Sequence, residues 1–61
     1  MKKIRLVGVD DWYRPIYQDE DGRLWKDVNL GIGTPYLHDV ADNDIDGEPN
    51  MPIKSEYKII E

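Results

Sequence analysis

The alternation of apolar and polar positions along this chain favours short extended segments over helices. Residues 3–9, KIRLVGV, are rich in branched side chains and nearly continuous in apolarity. Such a run reads as a well-buried strand. At the other end, Ile53, Ser55, Tyr57 and Ile59 alternate with Lys54, Glu56 and Lys58, the period of a half-buried strand. Ile53, Tyr57 and Ile60 also fit a helical stripe that starts after Pro52, but the β-branched and aromatic content tips 53–61 to a strand.

The strongest local signal lies at 15–28, PIYQDEDGRLWKDV. Glu20 and Asp21 suit the centre of a tight turn, and Gly22 can take the left-handed conformation that a three-residue hairpin connection requires. This register sets Asp19 opposite Arg23 as an ion pair and Tyr17 opposite Trp25 as an aromatic pair. Each is a favourable cross-strand contact worth about 0.2–1 kcal/mol. Before the hairpin, DDWYRP (10–15) reads as a turn, with Pro15 biasing Arg14 towards extended backbone. After it, NLGIGTP (29–35) has the glycines and proline of a loop but lacks the helix start of a phosphate-binding one. PYLHDV (35–40) suits a short strand or one helical turn. The pattern therefore predicts one small β-rich domain over 1–61. Its architecture is a four- to five-stranded antiparallel sheet, curled or barrel-like, with long loops at 29–35 and 41–52.

Length changes how this prediction must be stabilised. A chain of 61 residues buries only about 60% of the surface it exposes when unfolded. Scaffolds of this size commonly add a disulfide, a metal or a partner subunit. Cysteine is absent and His38 is the only histidine, which removes disulfides and Cys- or His-paired zinc sites. Calcium held by oxygen ligands, or a second protein chain such as a homodimer, remain as staples. Lys2, Lys3 and Arg5 are followed by only LVGV before Asp10 and Asp11. That run is shorter than the roughly 7–15 apolar residues of a signal peptide or the roughly 20 of a membrane span. The expectation is a cytoplasmic protein without membrane contact.

Charge is unevenly spread and narrows the choice of partner. Residues 1–30 hold six basic and six acidic side chains, whereas 31–61 hold two lysines against seven carboxylates, giving the net charge of −5. Five of the seven fall between Asp39 and Glu48 with no basic residue among them. Such a field repels phosphate backbones and attracts cations or basic protein surfaces. Nucleic-acid binding is therefore not expected.

The stretch 42–50, DNDIDGEPN, poses the sharpest chemical question. Asp42, Asp44, Asp46 and Gly47 match positions 1, 3, 5 and 6 of a helix–loop–helix calcium site. Position 12, which should be a bidentate glutamate, is Ile53, and Pro49 stands at position 8. No helix pattern precedes the loop, so a complete EF-hand is rejected. A looser calcium site built from Asp42, Asp44, Asp46 and Glu48 is the alternative to an acidic turn in which Asp side chains bond nearby backbone N–H groups and Gly47 is left-handed. The plain turn is preferred.

His38 beside Asp39 invites a catalytic reading. Neighbours on a strand point to opposite faces, and nothing sets Ser55 or Thr34 near the imidazole. A non-enzymatic role follows. Six large rings remain to be placed: Trp12, Tyr13, Tyr17, Trp25, Tyr36 and Tyr57. Tyr17, Trp25 and Tyr57 suit the core, whereas Trp12 lies in a turn beside acids and suits an exposed anchor. The resulting expectation is an interaction module that uses Trp12, Tyr13, Asp39 and Glu48 to bind a protein partner, a basic one being favoured by the charge. A calcium-stapled domain is the first alternative, and an acidic nucleic-acid mimic or inhibitor the second.

Overall fold

The computed structural model describes residues 1–60. Six strands form one mixed sheet: β1 (Lys2–Val9), β2 (Pro15–Asp19), β3 (Leu24–Asp27), β4 (Leu37–Val40), β5 (Pro49–Pro52) and β6 (Tyr57–Ile60). Their order is β5-β4-β3-β2-β1-β6, with β5 and β6 at the edges, so the sheet is not closed into a barrel. Among the described residues the only helical element is a 3-10 turn at Ala41–Asn43. The small β-rich class read from the sequence holds, and the hairpin register pairs Tyr17 with Trp25 as expected.

Two features go beyond the expected antiparallel sheet. β5 lies inside the segment predicted as a long loop, where Pro49 and Pro52 hide it, because proline donates nothing to a ladder and survives only where one side of a strand is open. β6 runs parallel to β1, with Lys2 opposite Tyr57 and Arg5 opposite Ile60. Parallel neighbours need a crossover, and here residues 53–56 carry the chain from one edge of the sheet to the other. Five residue steps span at most about 18 Å. Five strand spacings in a flat sheet would require about 24 Å. The two edges must therefore curl towards each other, and Ile53 bonds back to the sheet through its N–H to the Leu37 carbonyl at 2.8 Å.

Each face of the curled sheet carries its own apolar cluster. Ile4, Trp25 and Leu37 are buried on one face, with Tyr17, Ile53 and Tyr57 packed against them. Ile16, Leu24 and Val40 form a smaller cluster on the other. Burial, with the nearby Asp27 carboxylate and the Tyr57 phenol, pushes the Tyr17 phenol above its ordinary value. The expectation that β1 is well buried is corrected: Ile4 is enclosed, but Leu6, Val7 and Val9 are exposed. β6 covers only residues 2–5 of that strand, and a β-bulge interrupts its pairing with β2 between Leu6 and Gly8.

Three of the connections share one construction. Asp10, Asp19 and Asp27 each end or follow a strand, and each side chain accepts the N–H groups two and four residues on: Trp12 and Arg14, Asp21 and Arg23, Asn29 and Gly31. In each the third residue on donates to the aspartate's own carbonyl and has positive φ: Tyr13 at 65°, Gly22 at 85°, Leu30 at 59°. A carboxylate is suited to this because it offers about four acceptor sites and no donor. Asp27 also takes the Tyr36 N–H at 3.0 Å, fixing both ends of the 28–36 loop.

The expected Asp19–Arg23 ion pair is replaced by this device. The Asp19 carboxylate turns inward, accepting the Trp25 indole N–H at 3.0 Å and the Lys2 ammonium at 3.2 Å, and its side chain is 1% exposed. Burial alone would raise its pKa. The bonds from Trp25, Arg23, Lys2 and Asp21 outweigh burial and hold it below the ordinary carboxylate value. A buried carboxylate with four donors gains more from the charged form than a surface pair would.

Candidate binding face

The turn at 10–14 is built around Asp10 and fixed to the sheet by Lys26. Lys26 lies on β3 opposite Ile16 and His38, so it shares their face. Its side chain is 1% exposed, and its ammonium meets Asp10 Oδ2 at 2.9 Å and donates to the Gly47 carbonyl at 2.8 Å. Arg14 Nη1 reaches the same Asp10 oxygen at 3.3 Å and Glu48 Oε2 at 3.6 Å. Burial works to raise the Asp10 pKa, but the Arg14 N–H, the Lys26 ammonium and the Trp12 N–H together hold it below the ordinary value. One lysine thus ties the 10–14 turn to the acidic loop.

The acidic loop is a folded lid over the smaller apolar cluster. Asn43 accepts the Leu24 N–H at 2.7 Å and donates to the Gly22 carbonyl at 3.1 Å, docking the loop on the hairpin. Asp44 Oδ1 accepts the Asp46 N–H at 3.1 Å, the local bonding expected of an acidic turn. Ala41 N–H bonds the Glu48 carbonyl, and Gly47 N–H the Asp44 carbonyl.

The reading of Gly47 as left-handed is corrected, since the positive-φ residues of this loop are Asp42 at 57° and Asn43 at 50°. Gly47 is required for another reason. A Cβ there would collide with the Ala41 carbonyl oxygen and lie 2.7 Å from Val40 Cγ1. Glycine allows the lid to close.

The placement of the remaining candidate residues is uneven. Trp12 and Tyr13 are 68% and 78% exposed at the tip of the 10–14 turn, with the Arg14 guanidinium over the Trp12 ring at 5.9 Å. Beside them lies an open pocket of about 150 Å³ lined by Asp10, Asp11, Trp12, Arg14, Lys26, Asp46 and Glu48. Two of the four candidate metal ligands, Asp46 and Glu48, therefore share this pocket with Trp12. Asp42 and Asp44 do not line this pocket, and among the described residues no three acidic or histidine side chains are grouped to hold an ion. Asp39 stands apart, on the face of Trp25, where its carboxylate accepts the Met51 N–H at 2.8 Å and secures β5. His38 lies half-exposed on β4, edge-on to Tyr36 with ring centroids 4.6 Å apart.

Residue patterns alone missed Lys26, Arg14 and Asn43. The available signal was the likeness between DDWYR and DEDGR, in which Tyr13 occupies the place of Gly22. No family model matches the chain, and no curated protein and no solved structure matches it significantly. Among the described residues no helix is long and apolar enough to cross a membrane.

Proposed function

We propose that this protein is a non-enzymatic interaction module whose 10–14 turn, with Trp12 and Tyr13 at its tip, inserts into a basic protein partner beside the acidic loop. The observation that carries this reading is the backbone of Tyr13. A bulky residue at φ 65° costs roughly 1–2 kcal/mol relative to glycine's freedom there. Gly22 fills the same position of the 19–23 turn without that cost, while Leu30 shares it in the 27–31 turn, so what sets Tyr13 apart is its exposure beside Trp12. Here an exposed aromatic is kept in a strained position and held rigid by Asp10, Arg14 and Lys26. Strain retained at an exposed site is a mark of function, and rigid Trp and Tyr anchors lose little entropy on binding. Asp11, Asp46 and Glu48 at the rim supply charge complementarity to a Lys- or Arg-rich surface.

The test is affinity capture from the native host with the wild-type chain and with a Trp12→Ala, Tyr13→Gly double variant as paired baits. The expected result is a basic protein retained by the first and lost by the second, with both baits equally folded by circular dichroism. Retention of the same proteins by both baits would remove the turn from the binding surface.

A further inference from the structure

We propose that the binding face has a second half, the 28–36 loop, and that it takes a basic amphipathic segment, apolar on one side and cationic on the next. The proposal rests on the partner-binding reading above and extends it from the 10–14 turn to one whole end of the sheet. The β1–β2 and β3–β4 connections lie at one end and the β2–β3 connection at the other, because each of these pairs is antiparallel. The three aspartate turns are therefore split two to one. At the shared end the positive-φ position holds Tyr13 and Leu30, and at the opposite end it holds Gly22. Tyr13 and Leu30 are 78% and 49% exposed, and Trp12 and Ile32 near them in the chain are 68% and 76% exposed. The 19–23 turn has only Glu20, Asp21 and Arg23 around its glycine. A large apolar residue at positive φ carries a strain that glycine would spare. Here that strain occurs twice at the same end.

The two turns are neighbours. Ile16 pairs with Lys26, so Pro15 at the close of the first turn stands beside Asp27 at the base of the second. A Cβ built on Gly31 would lie 3.5 Å from Pro15 Cγ. Charge then divides this end into two strips. The 28–36 loop, VNLGIGTPY, contains no charged residue. On the Lys26 side, Asp11, Asp46 and Glu48 line the open pocket beside Trp12. The cations there are already committed, Lys26 to Asp10 and Arg14 to Asp10 and Glu48. An apolar strip beside an acidic one complements a segment with apolar residues on one face and Lys or Arg on the next, as in the recognition of amphipathic helices. The same charge disfavours a lipid surface, since interfacial segments surround their apolar residues with basic ones.

Fluorescence anisotropy with labelled peptides tests this on the full chain. The probes are a Leu/Lys peptide with its leucines along one helical face, a scrambled peptide of the same composition, and a lysine-only peptide of equal charge. Phosphatidylcholine vesicles form a separate arm. The patterned peptide should bind at least ~10-fold more tightly than either control, because it alone presents both strips. The Leu30→Gly, Ile32→Ser double variant should weaken that binding ~10-fold or more. Its circular dichroism spectrum should be unchanged, because both side chains are exposed and glycine suits the φ of 59° at position 30. The Trp12→Ala, Tyr13→Gly double variant should weaken binding as much. Loss in the Trp12 and Tyr13 variant alone would remove the 28–36 loop from the face and leave the 10–14 reading standing. Loss in neither variant would take both turns out of peptide binding and overturn both. Absence of binding up to roughly 1 mM would overturn the proposal. So would equal affinity for the three peptides, which charge attraction alone explains, or vesicle binding that depends on Leu30 and Ile32 while the patterned peptide stays free.

Discussion

At the scale of single residues, the aspartate turns make a controlled comparison, because the same backbone is built once on glycine and twice on larger residues. Gly22 has open space around it, so Gly22→Val introduces strain without collision. It should lose about 1 kcal/mol or more in chemical denaturation, since a β-branched residue resists positive φ. Tyr13→Gly should do the reverse and raise stability by roughly 0.5–1 kcal/mol, the relief of left-handed strain less the entropy glycine loses on folding. A Tyr13→Gly variant less stable than wild type would mean that the tyrosine ring contributes packing that its 78% exposure conceals. The need for glycine at 22 was legible in the sequence because a hairpin turn demands it. Tyr13 was not, since nothing in a residue's identity reveals that it occupies glycine's place.

At the scale of elements, Lys26 is the joint between β3, the 10–14 turn and the lid, and it shows why sequence pattern falls short. A lysine inside a strand reads as a solvated position, yet here its ammonium is enclosed with Asp10 and the Gly47 carbonyl. Lys26→Met keeps the stem but leaves Asp10 buried without its closest cation. Breaking one side of a buried pair costs about 3–5 kcal/mol. The loss should appear as a lower urea midpoint, together with faster amide exchange in residues 44–48. Equal exchange in both proteins would show that the lid stands without the lysine.

The same contact bears on calcium. Lys26 holds the loop closed at Gly47, the Glu48 carbonyl already accepts the Ala41 N–H and Asp44 Oδ1 the Asp46 N–H, so millimolar calcium should leave the melting temperature unchanged. A rise of several degrees, abolished by Asp44→Asn, would establish an ion site in 42–50. The hairpin was readable from turn chemistry and β1 from its branched run, whereas of the strand expected over 53–61 only Tyr57–Ile60 forms, with Ile59 exposed. β5 was not, because its prolines mimic a loop, and the parallel docking of β6 depends on curvature that no local pattern encodes.

At the scale of the whole molecule, a small core divided between two faces leaves much of the stability to buried carboxylates, and that sets its response to acid. Asp10 and Asp19 have side chains 5% and 1% exposed, and both carry pKa values below the ordinary 3.8. For Asp19 the burial that would raise the value is outweighed first by the Trp25 indole bond, and for Asp10 by the Arg14 N–H. A depressed folded value means that the native state holds its proton less tightly than the unfolded chain. Stability from these groups is therefore complete above the unfolded value and is lost as pH falls through the folded values. Between neutrality and about pH 5 neither group titrates, and the melting temperature should not drop on their account. Below about pH 4 it should fall steeply, because protonation removes the acceptors that close the 10–14 and 19–23 turns. Asp19→Asn should be less stable at neutral pH and show a shallower fall in acid. A wild-type melting temperature that stays level or rises as pH is taken from 4 to 2 would show that these aspartates are not what holds the sheet together.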